Sequence, residues 1–194
     1  MSDKTKFWYE RYRWFITSTG AIVIGGKSAE QNEEVISKET LKTEIVMHTK
    51  MPGSPFSVIK ADANQLNARD LEETAIFTAC FSRAWRENKK TAKIDIFKST
   101  QIFKDKHDKK GTFRVAGKVQ SKTVRLKLGL IIQQNKLRAV PANIGKPFVI
   151  IEPGNIEKNK FAEMLAIKLG VSGLDFRKEE ILNALPAGKF KIVK

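Results

Sequence analysis

Cysteine occurs once in these 194 residues, as Cys80, and histidine only twice, as His48 and His107. One cysteine excludes an internal disulfide and fits a reducing compartment. Its place among Ala79 and Phe81, inside an expected helix, reads as buried and inert. Two histidines cannot build a three-histidine metal centre, and neither Cys-x-x-Cys nor His-Glu-x-x-His spacing occurs. The expectation is a protein with no metal and no cofactor. No stretch approaches the ~18 apolar residues of a bilayer-spanning helix, and the N-terminus mixes charged and aromatic residues where a secretory signal would carry an apolar core. A cytoplasmic chain with no membrane partner is expected. Acidic residues are also scarce: 21 Asp plus Glu stand against 36 Lys plus Arg, a net charge of +15, with a pI near 9.9.

Hydrophobic residues make up 41% and charged residues 29% of the chain, as in ordinary globular proteins. At this length roughly 70% of the unfolded surface can be buried. The basic excess is what stands out, and it is uneven. Between Arg83 and Lys127 fifteen basic residues face four acidic ones. Such a window points to an anionic partner, with a solvated lysine-rich surface as the plainer alternative.

Along the chain, Trp14–Thr17 and Ala21–Ile24 read as a hairpin closed by Ser18-Thr19-Gly20. Gly25-Gly26-Lys27 then leads to Ser28 with Gln31 three positions on, a capping box that starts a helix over about Ala29–Ser37. Glu44–His48 and Phe56–Lys60 read as strands around a loop holding Pro52, Gly53 and Pro55. Asn67 caps a long helix over Ala68–Glu87, with Asp70, Glu72 and Glu73 at its positive end. Strands follow at Ala92–Phe97, Thr112–Gly117 and Val124–Gln133. Beyond these, Leu137–Val140 and Phe148–Ile151 are short strands, Asn155 and Asp175 cap two helices, and Phe190 and Ile192 lie in a last strand. These elements predict a mixed α/β (α+β) fold, predominantly antiparallel sheet with a few packed helices and a small α/β C-terminal extension. The expected division is 1–121 for a nucleic-acid-binding domain and 122–194 for the extension packed on it.

Enzyme chemistry finds little support. Gly25-Gly26-Lys27-Ser28 lacks the spacing of a phosphate-wrapping nucleotide loop, so nucleotide hydrolysis is excluded; the turn can hold a single phosphate or be a plain strand-to-helix connection. His48 and Ser54 could act as base and hydroxyl, but no third group orients them, and a hydrogen-bonded structural histidine is the plainer reading. Binding asks for less. Trp8, Tyr9, Tyr12, Trp14 and Trp85 are candidate stacking rings, unless they pack the core, and Arg11, Arg13, Lys27, Arg83 and Arg86 lie in the same segments. DNA is a weaker option than RNA, since no helix-turn-helix or zinc finger occurs.

Five blocks of the chain resemble one known family. They are Trp8-Tyr9-Glu10 with Trp14-Phe15; Val23-Ile24-Gly25-Gly26-Lys27 with Ala29 and Gln31-Asn32-Glu33; His48 with Gly53-Ser54-Pro55; Phe81-Ser82-Arg83-Ala84-Trp85; and Gly111-Thr112-Phe113 with Gly117-Lys118. Over about Lys6–Lys118 the chain resembles the NFACT RNA-binding domain, a module of ribosome-quality-control factors that act on obstructed large ribosomal subunits. The module is also known as a stand-alone protein. The resemblance implies binding to structured RNA, a tRNA or large-subunit ribosomal RNA. On that basis the candidate RNA-binding set is Trp8, Arg11, Arg13, Gly25, Gly26, Lys27, Asn32, His48, Ser54, Arg83, Trp85, Arg86 and Lys118, with no catalytic residue. The sequence departs from the family where a His-Ala-Asp-like run with a second histidine is usual; here Thr49-Lys50 follow His48 and Pro52 precedes Gly53. The amino-terminal NFACT domain, helix-hairpin-helix region and coiled coil of the full-length factors have no counterpart in this sequence, so their tailing activity is not expected. Two alternatives stay open: an RNA-modification enzyme using the His48 loop, and a ribosome-associated protein-interaction module.

Overall fold

The computed structural model describes residues 7–49, 51 and 53–193. Lys6, Lys50 and Pro52, which take part in the motifs above, lie outside the described residues. The fold is α+β, and every strand pair among the described residues is antiparallel.

After a 3-10 turn at Trp8–Arg11 come β1 (Arg13–Ile16) and β2 (Ile22–Gly25), the expected hairpin displaced by one residue in each strand. Ser28 caps α1 (Ala29–Glu34), accepting the Gln31 N–H at 3.2 Å, and the helix widens into a π turn over Val35–Glu39. Next come β3 (Ile45–Thr49) and β4 (Ser57–Ile59), then α2 (Ala68–Cys80) and α3 (Arg83–Arg86). The single long helix expected from Ala68 to Glu87 is therefore two. Ser82 breaks it: its hydroxyl donates to Ala79 O at 2.7 Å and accepts from Ala84 N–H at 3.1 Å, offering the backbone a cap instead of another helical turn. The break turns Arg83 and Arg86 onto a short helix of their own.

Strands β5 (Thr91–Lys98) and β8 (Gln120–Arg125) complete a six-stranded sheet in the order β1-β2-β4-β3-β5-β8. Between them lies a two-stranded ribbon of β6 (Ile102–Phe103) and β7 (Arg114–Val115), the latter shorter than the expected Thr112–Gly117. The strand expected over Val124–Gln133 also divides. After β8 the chain leaves the first sheet at Leu126-Lys127, and β9 (Leu128–Gln133) belongs to a second, four-stranded sheet. Its order is β10-β9-β11-β12, with β10 (Lys136–Pro141), β11 (Val149–Ile156) and β12 (Phe190–Ile192). Strand β11 runs on through Pro153-Gly154 as a bulge, where Gly154 leaves no room for a side chain: a Cβ would lie 2.5 Å from Lys191 N. Asn155 is therefore strand rather than cap, and α4 (Lys158–Val171) starts after Glu157. Likewise α5 (Lys178–Ala184) is capped by an Arg177–Glu180 box and not by Asp175.

Side chains of the six-stranded sheet alternate between two cores. Phe15, Val23, Met47, Ile59 and Ile94 face a large cluster shared with α2, the second sheet, α4 and α5. Trp14, Ile24, Val46, Val58 and Phe97 face a smaller one closed by Tyr9, Tyr12, Val35 and the β6–β7 ribbon. Two of the acids expected to serve only the α2 dipole do more. Asp70 accepts from Thr17 and Thr19, and Glu73 accepts from Ser18 N–H at 2.8 Å and Ser18 Oγ at 2.6 Å, bolting the β1–β2 turn to the helix.

The second sheet covers the open edge of β1. The Gln133 side-chain amide accepts from Ile16 N–H at 2.9 Å and donates to Ile16 O at 2.7 Å, standing in for a neighbouring strand. Arg138 donates twice to Trp14 O and lies 4.4 Å over the Trp14 ring.

Candidate nucleic-acid interface

His48 on β3 and Asp95 on β5 are cross-strand partners on the face of the smaller core, beyond Val46 and Phe97. There the wall is not closed, and a cleft of about 660 Å³ opens. Its sides are the β2–α1 turn, the loop around Gly53–Phe56, the α2–α3 break and the loop between β6 and β7.

Three consecutive residues of α1 each hold one of these walls. Gln31 Oε1 accepts the Lys27 N–H at 3.0 Å, one residue ahead of the Ser28 N–H that a full capping box would use, and so fastens the β2–α1 turn. Asn32 is buried; its amide donates to Ser54 O and accepts from Phe56 N–H, both at 3.4 Å, tying down the Gly53–Phe56 loop. Glu33 accepts from Lys104 and from Gly111 N–H, the latter at 2.8 Å, drawing the basic loop against the helix. Burial pushes the Glu33 carboxyl up, but these hydrogen bonds outweigh it and hold it below the usual carboxylate range. Two glycines permit the packing. A Cβ on Gly26 would lie 2.2 Å from Asn32 Oδ1, and Gly111 has φ +74 with a would-be Cβ 2.5 Å from Ala29 O.

The floor is aromatic, with Asp95 beside it. The His48 ring stacks on Phe56 at 4.2 Å with an interplanar angle of 19°, and Phe113 meets Phe56 edge-on at 5.6 Å. Nε2 of His48 donates to Ser54 O at 3.2 Å. Burial pulls the His48 pKa below the ordinary histidine value, against smaller opposing effects of that carbonyl and of Asp95. The base-and-hydroxyl pair needed by an enzyme using this loop is therefore not formed: Nε2 meets the Ser54 carbonyl, and the buried Ser54 Oγ has no partner.

The rim is cationic. Arg83 and Arg86, three positions apart on α3, are exposed and make no ion pair among the described residues; Lys27 and Lys110 are exposed on other walls. Arg13 lies deeper. Its guanidinium donates to Gly26 O at 2.6 Å and sits 5.5 Å over Phe81, and burial lowers its pKa.

The cleft thus brings together Arg13, Gly26, Lys27, Asn32, His48, Ser54, Arg83 and Arg86 of the residues picked out from sequence. The others lie elsewhere. Trp85 is 1% exposed, packs on Phe190 and donates its indole N–H to Lys189 O, so it has no face for a base. Arg11 is held by both oxygens of Glu34 at 2.8 Å. Gly25 is buried in β2, while Lys118 is exposed beside the wall residue Val119. Trp8 is 50% exposed but does not line the cleft. The Gln31 and Ser28 side chains also occupy the Lys27 and Gln31 N–H groups, so the Gly-Gly-Lys turn contributes chiefly through its side chain. Sequence reasoning missed Asp95, for which there was no signal. It also left Lys110 and Phe113 out of the site, although the charge window and the Gly111-Thr112-Phe113 motif marked them. Among the described residues no group of His, Cys, Asp or Glu is arranged to hold a metal, and no helix is long and apolar enough to cross a membrane.

Fold and cleft together define an α+β protein with an aromatic-floored, cation-rimmed hollow beside its central sheet. Among known proteins, the family described as NFACT protein RNA binding domain matches residues 11–119, more than half of the chain. The chain belongs to that family. It is 33% identical over 204 residues to the archaeal Rqc2 homolog aRqcH of Methanocaldococcus jannaschii, an alignment that takes in 98% of this chain and 30% of aRqcH. The alignment therefore also takes in residues that form the second sheet here. Human ribosome quality control complex subunit NEMF is 31% identical over 80 residues, 41% of this chain and 7% of NEMF. The chain thus spans under a third of the length of these relatives. The C-terminal part of the fibronectin/fibrinogen-binding protein of Streptococcus suis shares the fold, with a TM-score of 0.51 and 23% identity over 59% of this chain and 44% of that one.

Proposed function

We propose that this chain binds structured RNA, a tRNA or large-subunit ribosomal RNA, through the mouth of the cleft, in the setting of cytoplasmic ribosome quality control. The observation that carries this reading is the pair Arg83 and Arg86: exposed, on one face of α3, without an ion-pair partner among the described residues, and beside an aromatic hollow. Elsewhere on the surface, arginines such as Arg11, Arg114 and Arg125 are neutralised by Glu34, Asp108 and Glu152. Guanidinium groups left unpaired are ready to engage phosphate oxygens in two parallel hydrogen bonds. The family match supports RNA over DNA, and the names of aRqcH and NEMF support the ribosomal setting.

In this reading Arg83, Arg86, Lys27 and Lys110 take backbone phosphates, while Arg13 braces the Gly26 turn from inside. Crosslinking the protein to RNA in cells, sequencing the bound RNA and mapping the crosslinked peptides tests it. Reads concentrated in tRNA or large-subunit ribosomal RNA, with crosslinks on peptides holding Arg83–Arg86 and Lys110, are expected. Recovery of RNA no higher than from an Arg83→Ala/Arg86→Ala variant would refute it.

A further inference from the structure

We propose that the cleft accepts one unpaired nucleotide of the bound RNA, base inward and phosphate at the rim, with Asp95 reading the base. This rests on the RNA-binding reading above and adds what the hollow discriminates. A duplex shows phosphates and sugars on its outside and needs a basic ridge or groove. A hollow of about 660 Å³ with an aromatic floor serves no duplex backbone; it is of a size that small-molecule sites of about 300–1,000 Å³ use to enclose a ligand.

Charge is layered by depth. The exposed cations stand at the mouth; the one buried cation of the lining, Arg13, is taken up by Gly26 O and the Phe81 ring, and the floor holds a desolvated His48 stacked on Phe56. Phosphate therefore belongs outside and a flat, uncharged group inside. Asp95 is the only carboxylate among the described residues lining the cleft. One of its oxygens accepts from Ser121 Oγ at 2.6 Å. A carboxylate repels phosphate and accepts from N–H groups, so here it suits the edge of a base. Guanine, with N1–H and N2–H₂ side by side, offers the best match.

The test uses a short RNA hairpin with a blunt stem and the same hairpin with one 3′ overhanging nucleotide, G, A, C or U, titrated by fluorescence anisotropy against the full chain. The overhang should tighten binding about tenfold, most for G. In Phe113→Ala the overhang and blunt hairpins should bind alike, the overhang's gain being lost, and an unfolding midpoint in urea shows that the variant is folded. Asp95→Asn should erase the preference among bases and keep the preference for an overhang. Equal affinity for blunt and overhang hairpins would overturn the nucleotide pocket while leaving RNA binding intact; equal affinity for all four overhangs would overturn the role of Asp95. Failure to bind either hairpin, tRNA or ribosomal RNA would overturn the pocket together with the RNA reading beneath it.

Discussion

On β3 and β5, Met47 and Ile94 point to one face of the six-stranded sheet and His48 and Asp95 to the other. The first pair is fully buried under α2 and the second sheet. The second pair, one residue away in sequence, is half-buried and looks into the cleft. On the closed face every acid near the hairpin turn has donors: Asp70 and Glu73 are surrounded by Thr17, Ser18, Thr19 and Asn67. On the open face Asp95, which accepts from Ser121, lines a hollow, and Arg83 and Arg86 stand at its rim with no ion pair among the described residues. One sheet thus separates holding the fold from meeting a ligand, simply because alternate side chains of a strand face opposite ways.

The sharpest way to break this comparison is to damage the closed face alone. Phe15 is fully buried and packs on Phe77 at 4.6 Å. Phe15→Ala should lower the unfolding free energy by about 3–5 kcal/mol in urea denaturation, with RNA affinity of the folded protein unchanged. Asn32→Ala sits between the two regimes. It strands the Phe56 N–H and leaves the Ser54 carbonyl with His48 alone, costing about 1–3 kcal/mol of stability, and it releases the Gly53–Phe56 wall, so RNA affinity should fall with it.

Glu33→Gln removes the charge that holds Lys104. As a partly exposed pair this contributes at most about 1 kcal/mol to stability, but amide exchange of Gly111 and its neighbours should quicken measurably as the basic loop loosens. The smallest effect is a pH dependence. Unfolded histidine takes up a proton near pH 6.5, and folded His48 does so only at lower pH because burial disfavours its charged form. The stability from neutral His48 is therefore complete above about pH 6.5 and is lost as pH falls below it. Urea midpoints measured between pH 7.5 and 5.5 should decline for the wild type and flatten in His48→Gln.

Local chemistry was legible in the sequence where one residue decides it. The Ser28 cap, the Asn67 capping box and the hairpin turn all stand within a residue or two of where side-chain hydrogen bonding predicts them, while the Gln31 half of the expected Ser28–Gln31 box reaches Lys27 N–H instead of Ser28 N–H. Gln31, Asn32 and Glu33 belong to a recognisable block, yet their partners lie up to 78 residues away, as Gly111 does, so their separate tasks emerge only in three dimensions. The break at Ser82 was hidden for a related reason: periodicity continues through it, and only the competing Ser82 hydrogen bonds reveal the cap. Trp85 shows the opposite failure. An aromatic beside two arginines has the composition of a stacking site, but its indole is committed to Lys189 O and Phe190, more than a hundred residues on. The split of 124–133 into strands of two sheets follows from the same blindness, because a run with strand-like patterning does not say which sheet each half joins.

The account turns on two exposed arginines at the open face that make no ion pair among the described residues, and one titration tests it most directly: Kd for tRNA and for a large-subunit ribosomal RNA fragment, measured against salt for the wild type and for Arg83→Ala/Arg86→Ala. Each phosphate contact adds roughly 0.7–0.9 to the slope of log K against log salt. The account predicts a steep wild-type slope, reduced by about 1.5 in the variant, with at least about tenfold weaker binding near physiological salt and an unchanged urea midpoint. Equal slopes and equal affinities for the two proteins would contradict it.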